Sequence, residues 1–149
     1  MFRPFHVRGG GGKSGFGGVA DGGWLMSVHN HLVLAGQYVL LRDGAAMAKR
    51  WRARMPDAIV CASDLTAAHV LRLLRKIKKR SPQDVLLTGV DDIDLATLVS
   101  PPLTTVHQPC EEIARTAFET LLWRMDNPDA ATRRILVATN LVIRESTTR

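Results

Sequence analysis

Ahead of a Pro-Pro stop that leads into Leu103-Thr104-Thr105-Val106, two short apolar runs punctuate the middle of the chain: Ala58–Ala62 and Val85–Leu87. Each is bounded by Pro, Gly, Ser or Asp, and neither alternates with polar residues. That pattern predicts buried strands of the kind found in parallel sheets. Between and beyond them the period lengthens to that of a helix. Ala45–Met55 carries Met47, Ala48 and Trp51 on one side, and Leu65–Lys79 carries Ala68, Leu71, Leu74 and Ile77. Cys110–Met125 carries Ile113, Ala117, Leu121 and Leu122, with Phe118 and Met125 adjoining. Upstream, His31–Leu41 reads as one or two short strands broken at Gly36, with a turn at Asp43-Gly44. Downstream, Arg134–Val137 and Asn140–Arg144 read as terminal strands. Strands alternating with helices predict an α/β fold with a parallel sheet and right-handed crossovers.

The first 30 residues break this pattern. Residues 1–23 hold nine of the twelve glycines and show no periodicity, so segment 1–30 is expected to be irregular and separate from a unit spanning 31–149. Two phosphate-loop echoes occur there, Gly12-Lys13-Ser14 and Gly15-x-Gly17-x-x-Ala20. Neither follows a predicted strand or opens a helix, the context that would give such a loop its mechanism. His29-Asn30-His31 resembles a nuclease tripeptide without the surrounding metal ligands.

Composition adds limits. Apolar residues make up 46% and charged residues 23%, which is ordinary for a globular chain of 149 residues and one domain. The net charge of +6 is unevenly placed. Eight basic residues face two acidic ones over 1–56, whereas twelve face twelve over 57–149. The cations of Leu65–Lys79 crowd its polar face and its last turns, where they complement the helix dipole. Nucleic-acid contact is a competing reading for segment 1–56, but no recognition helix or aromatic platform accompanies it. Cys61 and Cys110 make neither a disulfide framework nor a zinc pattern, and suit reduced thiols in a cytoplasmic protein. No apolar run reaches the length of a membrane span, and no apolar core follows the basic N-terminus as a secretory signal requires. His107 and Cys110 straddle Pro109 and make no recognisable nucleophile–base pair. No metal cluster or cofactor motif is visible, and an enzyme is not expected.

The stretch Asp84–Pro109 holds the candidate chemistry. An apolar run leads through Gly89 into Asp91, Asp92 and Asp94, then through Pro101-Pro102 into Leu103–Val106. Carboxylates just past a strand end lie where open α/β sheets bind ligands. Asp91 is therefore expected at the rim of a ligand site. Asp92 and Asp94 are equally readable as caps of the next short helix, and Asp64 as the cap of the helix before it.

Three segments carry a resemblance. PDAIVCASDLTAAHVLRLL, PQDVLLTGVDDIDLATLVSPPLTTVHQP and ILVATNLVIRES resemble, in the same order, the ligand-sensing domain of LacI/GalR-type bacterial transcription regulators. The likeness covers Pro56 to Ser146. It implies an incomplete parallel-sheet lobe of a type I periplasmic-binding-protein-like sensor domain, in which two α/β lobes enclose a ligand. It further implies that Asp91, Ser63 and Asp64 are the ligand-side positions, with Asp91 binding hydroxyls of a sugar or nucleoside-like effector. Ser63 stands where the family commonly has Asn, and Asp64 is read first as a cap. The resemblance implies a cytoplasmic homodimer that binds DNA only as the full-length regulator. No helix-turn-helix headpiece and little of the first lobe are recognisable, so autonomous DNA binding is not expected. Cys110–Met125 would belong to the first lobe and have little to pack on. An interaction module or a non-functional gene fragment is the alternative.

Overall fold

A computed structural model describes residues 44–149 in full, together with the backbone of 16–18, 24–28, 31–35 and 37–43. The expected strands form where the apolar runs lie, as β4 (Ala58–Cys61) and β5 (Leu86–Asp91), and β6 (Thr104–His107) follows the Pro-Pro stop. With β3 (His31–Ala35) they run parallel in the order β3-β4-β5-β6. Antiparallel strands extend both edges. On one side lie β1 (Phe16–Gly18) and β2 (Trp24–Val28), and on the other β7 (Asn140–Val142), giving seven strands in sequence order.

Helices α1 (Gln37–Ala53) and α2 (Asp64–Lys76) make the crossovers β3-α1-β4 and β4-α2-β5. Both crossovers advance the sheet in the same direction, so right-handedness puts both helices on one face. The core lies between that face and the helices: Met47, Trp51, Val70, Leu74, Ile59, Leu87 and Leu103 are buried together. Each such side chain contributes on the order of 1.5–3 kcal/mol on leaving water. The burial of β4 alternates accordingly, with Ile59 and Cys61 buried while Val60 on the opposite face is 42% exposed. Parallel sheets normally have both faces covered. A short α3 (Leu95–Leu98) joins β5 to β6, and α4 (Cys110–Asp126) lies between β6 and β7.

Several expectations change. His31–Leu41 is not two strands: β3 ends at Ala35 and α1 begins at Gln37, absorbing the supposed Asp43-Gly44 turn. Leu40, Gly44, Met47, Ala48 and Trp51 share helical spacing, and seventeen continuous residues of helix override a Gly that costs only about 1 kcal/mol. Arg134–Val137 forms no strand, and Leu136 is 84% exposed; the antiparallel ladder on β6 begins only at Asn140. Segment 1–30, expected to be irregular, contributes β1 and β2. The apolar run Trp24–Val28 completes an edge that β3 would otherwise leave open. Gly12-Lys13-Ser14 and His29-Asn30 lie outside the described residues. Helix α2 closes at Lys76 rather than Lys79, with Lys78 left-handed at φ 58°. Its buried stripe is centred on Ala67, Val70, Leu71 and Leu74.

Helix α4 forms where expected but buries none of its residues. Ile113, Phe118, Leu121, Leu122 and Met125 are 40% to 70% exposed, and Trp123 is half-buried. The terminal residues fold back on the sheet differently. Ser146 is buried, donating to the Leu87 carbonyl (2.6 Å) and accepting from the Thr104 N–H (2.8 Å).

Candidate functional site

The loops after β4, β5 and β6 converge at the carboxyl ends of the parallel strands. After β4, Ser63 is extended (φ −155°, ψ 160°) and caps α2, its Oγ accepting the Thr66 N–H at 3.1 Å. Ser63 and Thr66 hydroxyls also share a 2.9 Å hydrogen bond. The cap expected of Asp64 therefore falls to Ser63, because Asp64 is already inside the helix and turned inward. Asp64 is wholly buried, Oδ2 accepting the Ile93 N–H (3.1 Å) and Oδ1 the Thr105 hydroxyl (2.6 Å). One carboxyl thus ties the start of α2 to the loop after β5 and to β6. Gly89 makes this possible. A Cβ there would overlap Asp64 Oδ1 and lie 3.2 Å from Asp64 Cα.

At the end of β5 the backbone turns left-handed at two successive non-glycine residues, Asp91 (φ 112°) and Asp92 (φ 58°). Such conformations cost on the order of 1–3 kcal/mol and concentrate at functional sites. Asp91 is half-buried, and its Oδ1 accepts the Gln108 side-chain N–H at 2.6 Å. Burial and the nearby Asp64 charge hold its carboxyl above the usual range, with the Gln108 bond opposing them. Asp92 is no cap: its Oδ1 pairs with Arg144 (2.7 Å) and its Oδ2 with His107 (3.0 Å). Burial pushes this carboxyl up, but the hydrogen bonds from Arg144 and His107 outweigh it and leave the group below its ordinary value. Asp94 precedes α3 without a side-chain cap bond.

The structure thus brings Ser63 and Asp91 to one end of the sheet and draws Asp64 beneath them. His107, Gln108, Arg144, Thr105 and Ser146 were not identified from the sequence as site residues. They partner the loops through register, Asp91 lying opposite His107 and His107 opposite Asn140. The signal was the doublet pattern, Asp91-Asp92 matched by His107-Gln108, which only strand pairing aligns. Among the described residues no group of three or more His, Cys, Asp or Glu is placed to hold a metal. Nor is any helix among them long and apolar enough to cross a membrane.

A family model for the periplasmic binding protein-like domain matches residues 26–147, which include all three segments singled out in the sequence. The chain belongs to the periplasmic binding protein-like domain family. Within that family its relatives are LacI-type transcription regulators. It is 41% identical over 91 residues to the ribose operon repressor of Haemophilus influenzae, covering 61% of this chain and 27% of that protein. Among solved structures it is similar to the transcriptional regulator CelR in complex with cellobiose. That likeness has a TM-score of 0.62 at 36% identity and covers 69% of this chain and 32% of CelR. It is also similar to a LacI family transcriptional regulator from Enterococcus faecalis V583 with bound ribose. There the TM-score is 0.64 at 29% identity, covering 70% of this chain and 39% of the other. The chain spans less than a third of the length of the Haemophilus repressor.

Proposed function

We propose that this chain is an effector-sensing part of a LacI-type transcription regulator, and that Asp91 is the residue that holds the effector. The observation carrying this reading is the Asp91 carboxylate, on left-handed backbone at the end of the inner parallel strand β5, bonded by Gln108 and left partly open to solvent. A carboxylate so placed accepts hydrogen bonds from two adjacent hydroxyls of a sugar or ribose. Ser63 stands beside it on the neighbouring loop, and Asp64 serves the site from below by fixing both loops. Relatives with bound cellobiose and ribose support a polyhydroxylated effector. The chain is cytoplasmic and non-enzymatic in this reading, and the operator is read by other parts of a full-length regulator. Because the ligand lies between two lobes, these residues supply one wall, and affinity for this chain alone is weak.

Titrating the 15N-labelled chain with ribose, cellobiose and adenosine tests the proposal. Amide shifts are expected around Ser63 and Asp91 at millimolar ligand, and are lost in Asp91→Asn. Shifts that persist in Asp91→Asn would remove Asp91 from the site. Micromolar affinity for the chain alone would contradict the one-wall argument.

A second reading, self-association, is favoured by the uncovered apolar face of α4. Light scattering during size-exclusion chromatography decides it: a dimer that Phe118→Ser disperses supports it, and a monomer at high concentration refutes it.

A further inference from the structure

Asp91 does not hold its setting alone. The next residue, Asp92, is gripped by the end residue of one strand and by a residue just past the antiparallel strand beside it. His107 belongs to β6, which leads out to α4, and Arg144 follows β7, which leads back from it. Arg144 is anchored in turn. Its second guanidinium nitrogen donates to the Leu103 carbonyl at 2.9 Å, and its backbone N–H donates to the Thr104 hydroxyl at 2.8 Å. Gln108, adjacent to His107, donates to Asp91. Two neighbouring carboxylates are thus held by two neighbouring residues of one strand end, and one of them also by the returning strand. Both carboxylates lie on the left-handed backbone that ordinary residues avoid unless their surroundings impose it.

We propose that Asp92, Arg144 and His107 form a latch that positions Asp91. The latch holds the Asp91–Asp92 turn and keeps Gln108 on the Asp91 carboxylate, so the effector seat is coupled to the two strands that carry α4. Asp92 and Arg144 are positioning residues: neither has a hydrogen bond to Asp91 or Gln108. Opening the latch frees the turn, and Gln108 loses its partner. The functional meaning rests on Asp91 being the effector seat, but the coupling itself is a property of the ligand-free chain.

The Gln108 side-chain amide protons report on the latch in the full chain by NMR. In the wild type the proton bonded to Asp91 is expected to be displaced downfield and slow to exchange. In Asp92→Asn and Arg144→Gln these protons are expected at free-amide positions, exchanging about tenfold faster. Arg144→Lys restores part of the effect. His107→Gln removes one of the two grips from a half-exposed position and gives the same change at smaller amplitude, even if the other variants fail to fold. Amides of Val70 and Leu74 in α2 serve as the fold control. Local loosening of Asn140–Val142 with Gln108 unchanged would overturn the proposal, because a merely structural bridge predicts that outcome. Ribose distinguishes the two claims. If Gln108 responds while ribose shifts nothing at Asp91, the latch stands and the effector reading falls. If Gln108 does not respond, the latch falls whatever ribose does.

Discussion

Thr105 donates its hydroxyl to Asp64 Oδ1 across 2.6 Å of fully buried interior, joining β6 to the first turn of α2. Asp64 has no water to fall back on, so removing this donor leaves an acceptor buried with one bond fewer. Such a loss costs about 1–3 kcal/mol. Thr105→Val keeps the shape and removes the donor, whereas Thr105→Ser keeps the donor and removes a methyl group. Urea denaturation is expected to show Thr105→Val destabilised by that amount and Thr105→Ser by clearly less. Equal losses would mean that packing, not the hydrogen bond, sets the energy at this point.

Two glycines should answer alanine with opposite signs. At Gly89 a Cβ would press on Asp64 Oδ1 and on its Cα, which is backbone and cannot swing aside. Overpacking of this kind costs about 1–3 kcal/mol. At Gly44, inside α1, a Cβ meets nothing within 4 Å, so Gly44→Ala gains helix propensity. The expected stabilisation is about 0.5–1 kcal/mol. Thermal melts of both variants check the pair. Destabilisation by Gly44→Ala would return Asp43-Gly44 to the turn that the bare sequence suggested.

These two glycines also show where the sequence was legible. The apolar runs of β4 and β5 declared themselves because strands buried in a parallel sheet need no alternation, and Asp, Ser and Gly marked their ends. The position of Asp91 at the end of such a strand was legible for the same reason. The start of α1 was not, because Tyr38–Leu41 is apolar without a period and the Gly-containing dipeptide after it imitates a turn. The helix cap fell to Ser63 rather than Asp64 for a related reason. Both residue types cap helices, and only the inward rotation of Asp64 over Gly89 decides between them. The partners of Asp92 were out of reach: His107 and Arg144 lie 15 and 52 residues away, and register rather than spacing brings them in.

The two cysteines should differ sharply as nucleophiles. Cys61 is completely buried in β4, and burial together with the Asp64 charge pushes its thiol far above the ordinary range. Cys110 is exposed at the start of α4. An aromatic disulfide reagent at pH 8 is expected to titrate a single thiol in the native chain, absent from Cys110→Ser. The second should appear only with denaturant. Rapid labelling of Cys61 without denaturant would show that β4 opens far more readily than its burial implies.

Acid should act on stability in two steps of opposite sign, because Asp91 and Asp92 are shifted in opposite directions. Asp91 is raised in the fold, so its ionised form opposes folding at neutral pH and that cost is relieved as pH falls through its folded pKa. Asp92 is lowered, as is Asp84 through its bonds with the Lys79 side chain and the Arg80 N–H. Their contributions are complete above the unfolded value near 4 and disappear as pH falls through their lower folded pKa values. Melting temperature is therefore expected to rise slightly on approach to about pH 4 from above, then to drop. Asp91→Asn should remove the rise and leave the drop. Asp92→Asn should start from a lower plateau and drop less, because the carboxylate whose protonation undoes the Arg144 pairing is already gone. A monotonic fall from pH 7 that Asp91→Asn does not alter would show that Asp91 is better solvated than its half-buried seat beside Asp64 implies.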